Sequence, residues 1–136
     1  MDEPELISRA RTALEQAHVP YSEYSVGAAL ETASGAVYTG CNIEIANYSN
    51  SLHAEEVAVG KATSDGHRQF TRIAVSSSER DGILPCGMCR QTLTEFCDQE
   101  FVVLCDTGDG TARYQLGELL PDAITSDDLD LAPDQA

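Results

Sequence analysis

At 136 residues the chain has the length of one ordinary domain, enough to bury a core without disulfide staples, and its 42% hydrophobic residues are spread along it, which argues against disorder. A formal charge of −15, with Lys61 the only lysine, gives a surface that repels phosphate backbones and anionic lipids, so neither a polynucleotide substrate nor a membrane partner is expected. No apolar run approaches the roughly 18 residues of a membrane span, and the acidic opening Met1-Asp2-Glu3-Pro4-Glu5 lacks the pattern of a signal peptide, so a cytoplasmic protein is expected.

Apolar residues at Leu6, Ala10, Ala13, Leu14 and Ala17 follow helical spacing and predict a helix over residues 3–18, ended by Pro20. From Tyr24 the period becomes two. Val26, Ala28, Leu30 and Thr32 share one face of a strand, with Ser25, Gly27, Ala29 and Glu31 on the other. Ala33-Ser34-Gly35 turns the chain into a second strand, Val37 to Cys41, making a hairpin. Asn42 to Ser51 is polar and aperiodic, a loop leading into a helix from Leu52 to Thr63 with Ala54, Val57, Ala58 and Ala62 as its buried candidates. Ile73-Ala74-Val75 marks a strand, and Ser76 to Leu84 a polar loop. Cys86 to Cys97 reads as a helix entered through Pro85, whose missing N–H would go unpaired there anyway. The continuous apolar run Phe101 to Cys105 suits a strand covered on both faces. A short strand over Thr111 to Gln115 follows, then a helical turn at Leu116 to Leu120 and an acidic tail over about 122–136, expected to be partly mobile. Together these describe one α/β domain, a three-layer arrangement with a mixed five-stranded sheet and helices on both faces.

The reactive chemistry lies in two stretches, His53-Ala54-Glu55 and Pro85-Cys86-Gly87-Met88-Cys89. One imidazole and two thiols are three zinc ligands, and three protein ligands leave a fourth tetrahedral position for water, as in catalytic zinc sites. Cys86 and Cys89 fall on the same side of one helix turn. A helix start favours thiolate over thiol. Water bound to such a metal falls to a pKa of about 7, and Glu55 is placed to carry its protons. Arg90 can donate to a thiolate sulfur. An odd count of five cysteines in a reducing compartment favours metal over disulfides. A thioredoxin-like pair would leave His53 and Glu55 unexplained. A structural zinc knot would need a fourth ligand, with Cys41 and Cys97 as candidates, but both read as core thiols, as does Cys105. His18 and His67 read as surface residues.

The sequence resembles the short, single-domain cytidine deaminases and carries the H-x-E…P-C-x-x-C signature of zinc-dependent deaminases. The resemblance runs through Pro20-Tyr21-Ser22-Glu23-Tyr24-Ser25-Val26-Gly27-Ala28-Ala29-Leu30, Gly40-Cys41-Asn42-Ile43-Glu44, Pro85-Cys86-Gly87-Met88-Cys89-Arg90-Gln91 and Glu118-Leu119-Leu120-Pro121. It implies hydrolytic deamination of cytidine or deoxycytidine at C4, with Zn²⁺ held by His53, Cys86 and Cys89. Glu55 would protonate N3 and then the leaving amine. The same pattern implies that Asn42 and Glu44 hydrogen-bond the sugar hydroxyl, that Tyr24 packs against the nucleoside and that Ala54 belongs to the substrate-binding set. A homotetramer is implied, with a homodimer the alternative. Three positions depart from the family pattern. His53 stands where short members usually supply cysteine, Glu56 where many carry arginine, and Ile124 near a phenylalanine donated to the neighbouring subunit's pocket.

Rival readings are a deaminase of another small aminated heterocycle, such as a blasticidin-type nucleoside, and a non-catalytic zinc-stabilised binding module. A tRNA or DNA editing deaminase shares the metal motif, but the charge opposes it. Acid excess with almost no lysine also suggests a cytoplasm of very high salt, where screening relieves self-repulsion.

Overall fold

The structure of the protein, a computed structural model, describes residues 1–129. Helix α1 (Glu3–Leu14) is capped by Asp2, whose carboxylate accepts the N–H of Glu5 at 2.9 Å, and Pro4 occupies its first turn. It stops at Leu14, earlier than the spacing predicts. The amides of Gln16 and Ala17 reach back only three residues, and His18 then pairs with another segment, donating to the Asn42 carbonyl at 3.0 Å and accepting the Glu44 N–H at 2.8 Å. Long-range pairing thus overrides a helical pattern and brings the 18–24 segment beside Asn42 and Glu44.

Strands β1 (Val26–Thr32) and β2 (Val37–Cys41) form the expected hairpin, followed by β3 (Phe70–Ser77), β4 (Val102–Asp106) and β5 (Thr111–Gln115). The sheet runs β2-β1-β3-β4-β5, with only β3 and β4 parallel, so it is mixed and five-stranded as expected. Strand β3 extends well beyond Ile73–Val75. It is central and hydrogen-bonded on both edges, so its neighbours rather than its own apolar residues set its length; the Thr71 hydroxyl and the Arg72 guanidinium reach Glu31 on β1.

Helix α1 covers one face, packing Leu6, Ile7 and Ala10 against Ala29, Ala74 and Leu104. Helices α2 (Ala54–Ser64) and α3 (Gly87–Phe96) lie on the other face, where Ala54, Ala58, Ala62 and Leu93 meet Ala28, Leu30, Ile73 and Val103. Three layers result, with a four-residue helix α4 (Leu116–Leu119) closing one edge of the core. Val59 takes the buried place on α2 expected of Val57, which is only half-buried. Two glycines set the spacing of the layers. A Cβ at Gly27 would sit 2.1 Å from the carbonyl oxygen of Ala10, and one at Gly40 would sit 2.2 Å from that of Ala54. The small residues of β1 and β2 therefore let helix backbones lie directly on the strands.

Among the described residues no helix is long and apolar enough to cross a membrane. Of the acidic tail expected over about 122–136, residues 126–129 form a turn, with the Thr125 N–H held by Asp128 at 2.7 Å; residues 130–136 lie outside the described residues.

Candidate active site

His53 is the residue capping the start of α2, and Cys86 holds the same place on α3 with Cys89 in that helix's first turn. Both helix starts point at one spot. The ligand atoms of His53, Cys86 and Cys89 lie within 4.8 Å of one another, and the His53 Nδ1 to Cys86 Sγ separation is 3.2 Å. A tetrahedral zinc with bonds of about 2.1 Å to nitrogen and 2.3 Å to sulfur needs ligand atoms about 3.6–3.8 Å apart, so these three residues fit the ion with small adjustment. Among the described residues neither Cys41 nor Cys97 joins the cluster, so the fourth protein ligand of a structural knot is missing from it. Those two cysteines are half-buried rather than fully buried, while Cys105 is buried as expected; burial pushes the Cys97 thiol up to about 12. His18 is exposed, and His67 is half-buried against Tyr38 with ring centres 5.4 Å apart.

Glu55, in the first turn of α2, is only 5% exposed and stands outside the ligand set. Its burial raises the carboxyl above its ordinary range, against the pull of its own backbone amide and of His53. A carboxyl so placed holds its proton more tightly than an exposed one, which suits a group that must carry protons. Desolvation also pushes the Cys89 thiol far up, with Glu55 and Cys86 adding to it, so the metal-free site keeps that sulfur protonated.

Two charged neighbours of the site take partners that the sequence did not name. Arg90 does not donate to a sulfur: its Nε donates to the Pro85 carbonyl at 2.7 Å and its guanidinium to the Leu119 carbonyl at 2.8 Å. It braces the loop before Cys86 against α4. Glu56 accepts the backbone N–H of His53 at 2.8 Å, so the acid that stands in an arginine's place fixes the ligand residue at the helix start. That role was readable in principle, since an acid three residues after a helix start is the spacing of a capping box.

A cleft of about 200 Å³ opens at this cluster, and Asn42, Glu44, His53, Ala54, Glu55 and Cys86 line it. Tyr24 does not. Its backbone is tied in instead, the carbonyl accepting the Asn42 side-chain amide at 2.8 Å. Val26, Ile83 and Leu84 supply apolar wall that sequence reasoning passed over; two adjacent aliphatic residues inside an otherwise polar loop were the available signal. A larger, shallower groove of about 640 Å³ along the outer side of α2 contains none of the metal ligands.

Comparison with known proteins agrees with this geometry. Residues 1–105 match the family described as cytidine and deoxycytidylate deaminase zinc-binding region. The chain belongs to the cytidine deaminase family. It is 42% identical to the cytidine deaminase of Sporosarcina psychrophila over 136 residues, covering 99% of this chain and 100% of that one. It is 41% identical to the cytidine deaminase of Halalkalibacterium halodurans, over 95% of this chain and 98% of that one. The crystal structure of cytidine deaminase from Burkholderia pseudomallei superposes with a TM-score of 0.86 at 39% identity, covering 91% of this chain and 100% of that one. Zinc is the cofactor of this cytidine deaminase family member, and His53, Cys86 and Cys89 form a cluster compatible with it.

Proposed function

We propose that this chain catalyses zinc-dependent hydrolysis of cytidine and deoxycytidine to the uridine products, releasing ammonia. The observation that carries the reading is a buried carboxylate, Glu55, sharing one cleft with a His-Cys-Cys cluster and with the polar pair Asn42 and Glu44. His53, Cys86 and Cys89 would hold the zinc, which would supply the Lewis acidity that makes water nucleophilic at neutral pH. Glu55 takes a proton from the attacking water and delivers it to N3 of the ring as the C4–O bond forms, then takes the remaining proton of the C4 hydroxyl and passes it to the amine as the C4–N bond breaks, leaving the C4 carbonyl and ammonia. Its raised proton affinity suits both halves of that transfer. Glu44 and Asn42 hold the sugar at the other end of the cleft, and Ala54 bounds it beside Glu55. Tyr24, outside the cleft lining but joined to Asn42 through its backbone carbonyl, is the aromatic residue this reading assigns to packing against the nucleoside.

The assembly is a homotetramer, or failing that a homodimer. Support comes from large apolar side chains left exposed by the single chain: Leu52 in the cleft wall, and Tyr21 and Tyr48, which pack edge to face beside Glu44. Light scattering of the purified protein reads the state directly. The protein works in the cytoplasm, away from membranes and nucleic acid, and at high salt, a reading supported by its −15 charge. Its melting temperature should rise toward molar salt; a flat or falling series removes the salt reading.

The deciding experiment follows the absorbance change of cytidine, with cytosine base as comparator and with and without a chelator. Turnover of cytidine that is lost on chelation and restored by zinc is expected. Zinc-loaded, folded protein that leaves cytidine untouched but deaminates another heterocycle would sink the proposal.

A further inference from the structure

The segment between α1 and β1 is tied to the cleft by several hydrogen bonds, and Ser22 makes two of those to Glu44. Ser22 donates its hydroxyl to Glu44 Oε2 and accepts the N–H of Tyr24 at 3.0 Å. The other oxygen of Glu44 accepts the backbone N–H groups of Tyr21 at 3.1 Å and Ser22 at 3.0 Å. Asn42 grips the same segment, donating to the Tyr24 carbonyl at 2.8 Å and accepting the Val26 N–H at 2.9 Å. Glu23, in the middle of this turn, has a φ of 58°, a left-handed conformation that costs a residue with a side chain. The surrounding hydrogen bonds hold the turn against that cost.

An ionised carboxylate offers about four lone-pair sites and no donor. Glu44 has committed three of them to Tyr21 and Ser22, both of Oε1's and one of Oε2's, so the site left open belongs to the oxygen that the Ser22 hydroxyl holds. We infer that Ser22 is a positioning residue for nucleoside binding: its hydroxyl fixes the direction of the single Glu44 lone pair left for a sugar hydroxyl. The inference rests on the assignment of Glu44 to the sugar. The Ser22 hydroxyl, then the Ser22 and Tyr21 amides, hold the Glu44 carboxyl below the usual range, which keeps it an acceptor only. Without the hydroxyl, the two backbone bonds hold one oxygen while the other is free to swing.

The test compares Ser22→Ala, Ser22→Thr and Glu44→Ala, with cytidine and with 2′,3′-dideoxycytidine, which lacks the hydroxyl that Glu44 would accept. Loss of a charge-assisted hydrogen bond in good geometry is worth about tenfold in affinity. Ser22→Ala should raise KM for cytidine about tenfold with kcat held within about twofold, the pattern of lost ground-state binding. KM for dideoxycytidine should not move, zinc content should stay at the parental level, and Ser22→Thr should restore KM. An unchanged cytidine KM in Ser22→Ala, with Glu44→Ala raising it, overturns the role of Ser22 and leaves the sugar assignment standing. An unchanged KM in Glu44→Ala removes the sugar assignment itself. Equal KM increases for both nucleosides, or a fall in kcat tracking a lower melting temperature, would make Ser22 a purely structural residue and overturn the inference as well.

Discussion

Gly40 lies in β2, away from the reacting atoms, yet the geometry ties it to activity. A Cβ there would sit 2.2 Å from the carbonyl oxygen of Ala54, 2.7 Å from the amide nitrogen of Ala58 and 3.1 Å from the Cβ of Val57. Carbon and carbonyl oxygen meet at about 3.3 Å, so Gly40→Ala must push the start of α2 back by about 1 Å. That start carries His53 and Glu55, whereas Cys86 and Cys89 ride on α3 and stay behind. A misplacement of about 1 Å costs roughly 10²-fold in rate, and overpacking costs about 1–3 kcal/mol, or roughly 3–10 °C of melting temperature at this chain length. Gly60→Ala is the matched control. It lies on the same helix, is exposed and has nothing within 4 Å of the added methyl, so it should leave kcat/KM unchanged and stabilise by about 0.5–1 kcal/mol. Cytidine turnover, zinc content and thermal melting on the two variants make the assay. Parental activity and melting temperature in Gly40→Ala, or equal losses in both variants, would refute the reasoning.

Glu55→Gln keeps the shape but cannot carry a proton, so kcat should fall by about 10²- to 10⁴-fold with zinc stoichiometry intact, because Glu55 is not in the ligand cluster; metal loss in the variant would contradict that. It should melt no lower than the parent, since an amide removes a buried group whose charged form is penalised by desolvation. Asp106 is 7% exposed and accepts two bonds from Arg11, at 2.5 and 2.6 Å, and one from the Ser76 hydroxyl at 2.8 Å; the Arg11 guanidinium leads in holding its carboxyl at about 2, below the ordinary 3.8. A depressed carboxyl stabilises the fold above its unfolded value and loses that contribution as pH falls through the folded one. Asp106→Asn should therefore cost about 2 kcal/mol near neutral pH, with about half the gap to the parent gone by pH 3; urea denaturation at several pH values checks it, and a gap constant with pH counts against it. Zinc uptake by the metal-free protein should release protons, the Cys89 thiol among them, so affinity should weaken as pH falls. Titration in a weakly buffered indicator measures the release, and uptake with no proton release would contradict the thiol reading.

The ligand types, their spacing and the order of strands and helices were legible from residue chemistry and local periodicity. The hairpin, the strand at Thr111–Gln115, the helix entered through Pro85 and the three-layer α/β class all follow from such patterns, because a side chain's preference for helix, strand or metal is set by near neighbours. Periodicity misled where long-range pairing won. Helix α1 yields its last turn to the His18 pairing, and β3 is stretched by the strands on either side. Partner choice was likewise beyond the sequence. Arg90 finds two carbonyls instead of a sulfur, Glu56 an amide, and Ser22 a carboxylate 22 positions away. By itself the sequence determined which groups could hold a metal and move a proton. Only the tertiary structure decided that His53 and Cys86, 33 positions apart, meet at 3.2 Å with Glu55 buried beside them. That meeting depends on how closely α2 can lie on its strand, and Gly40 permits the approach by having no side chain at all.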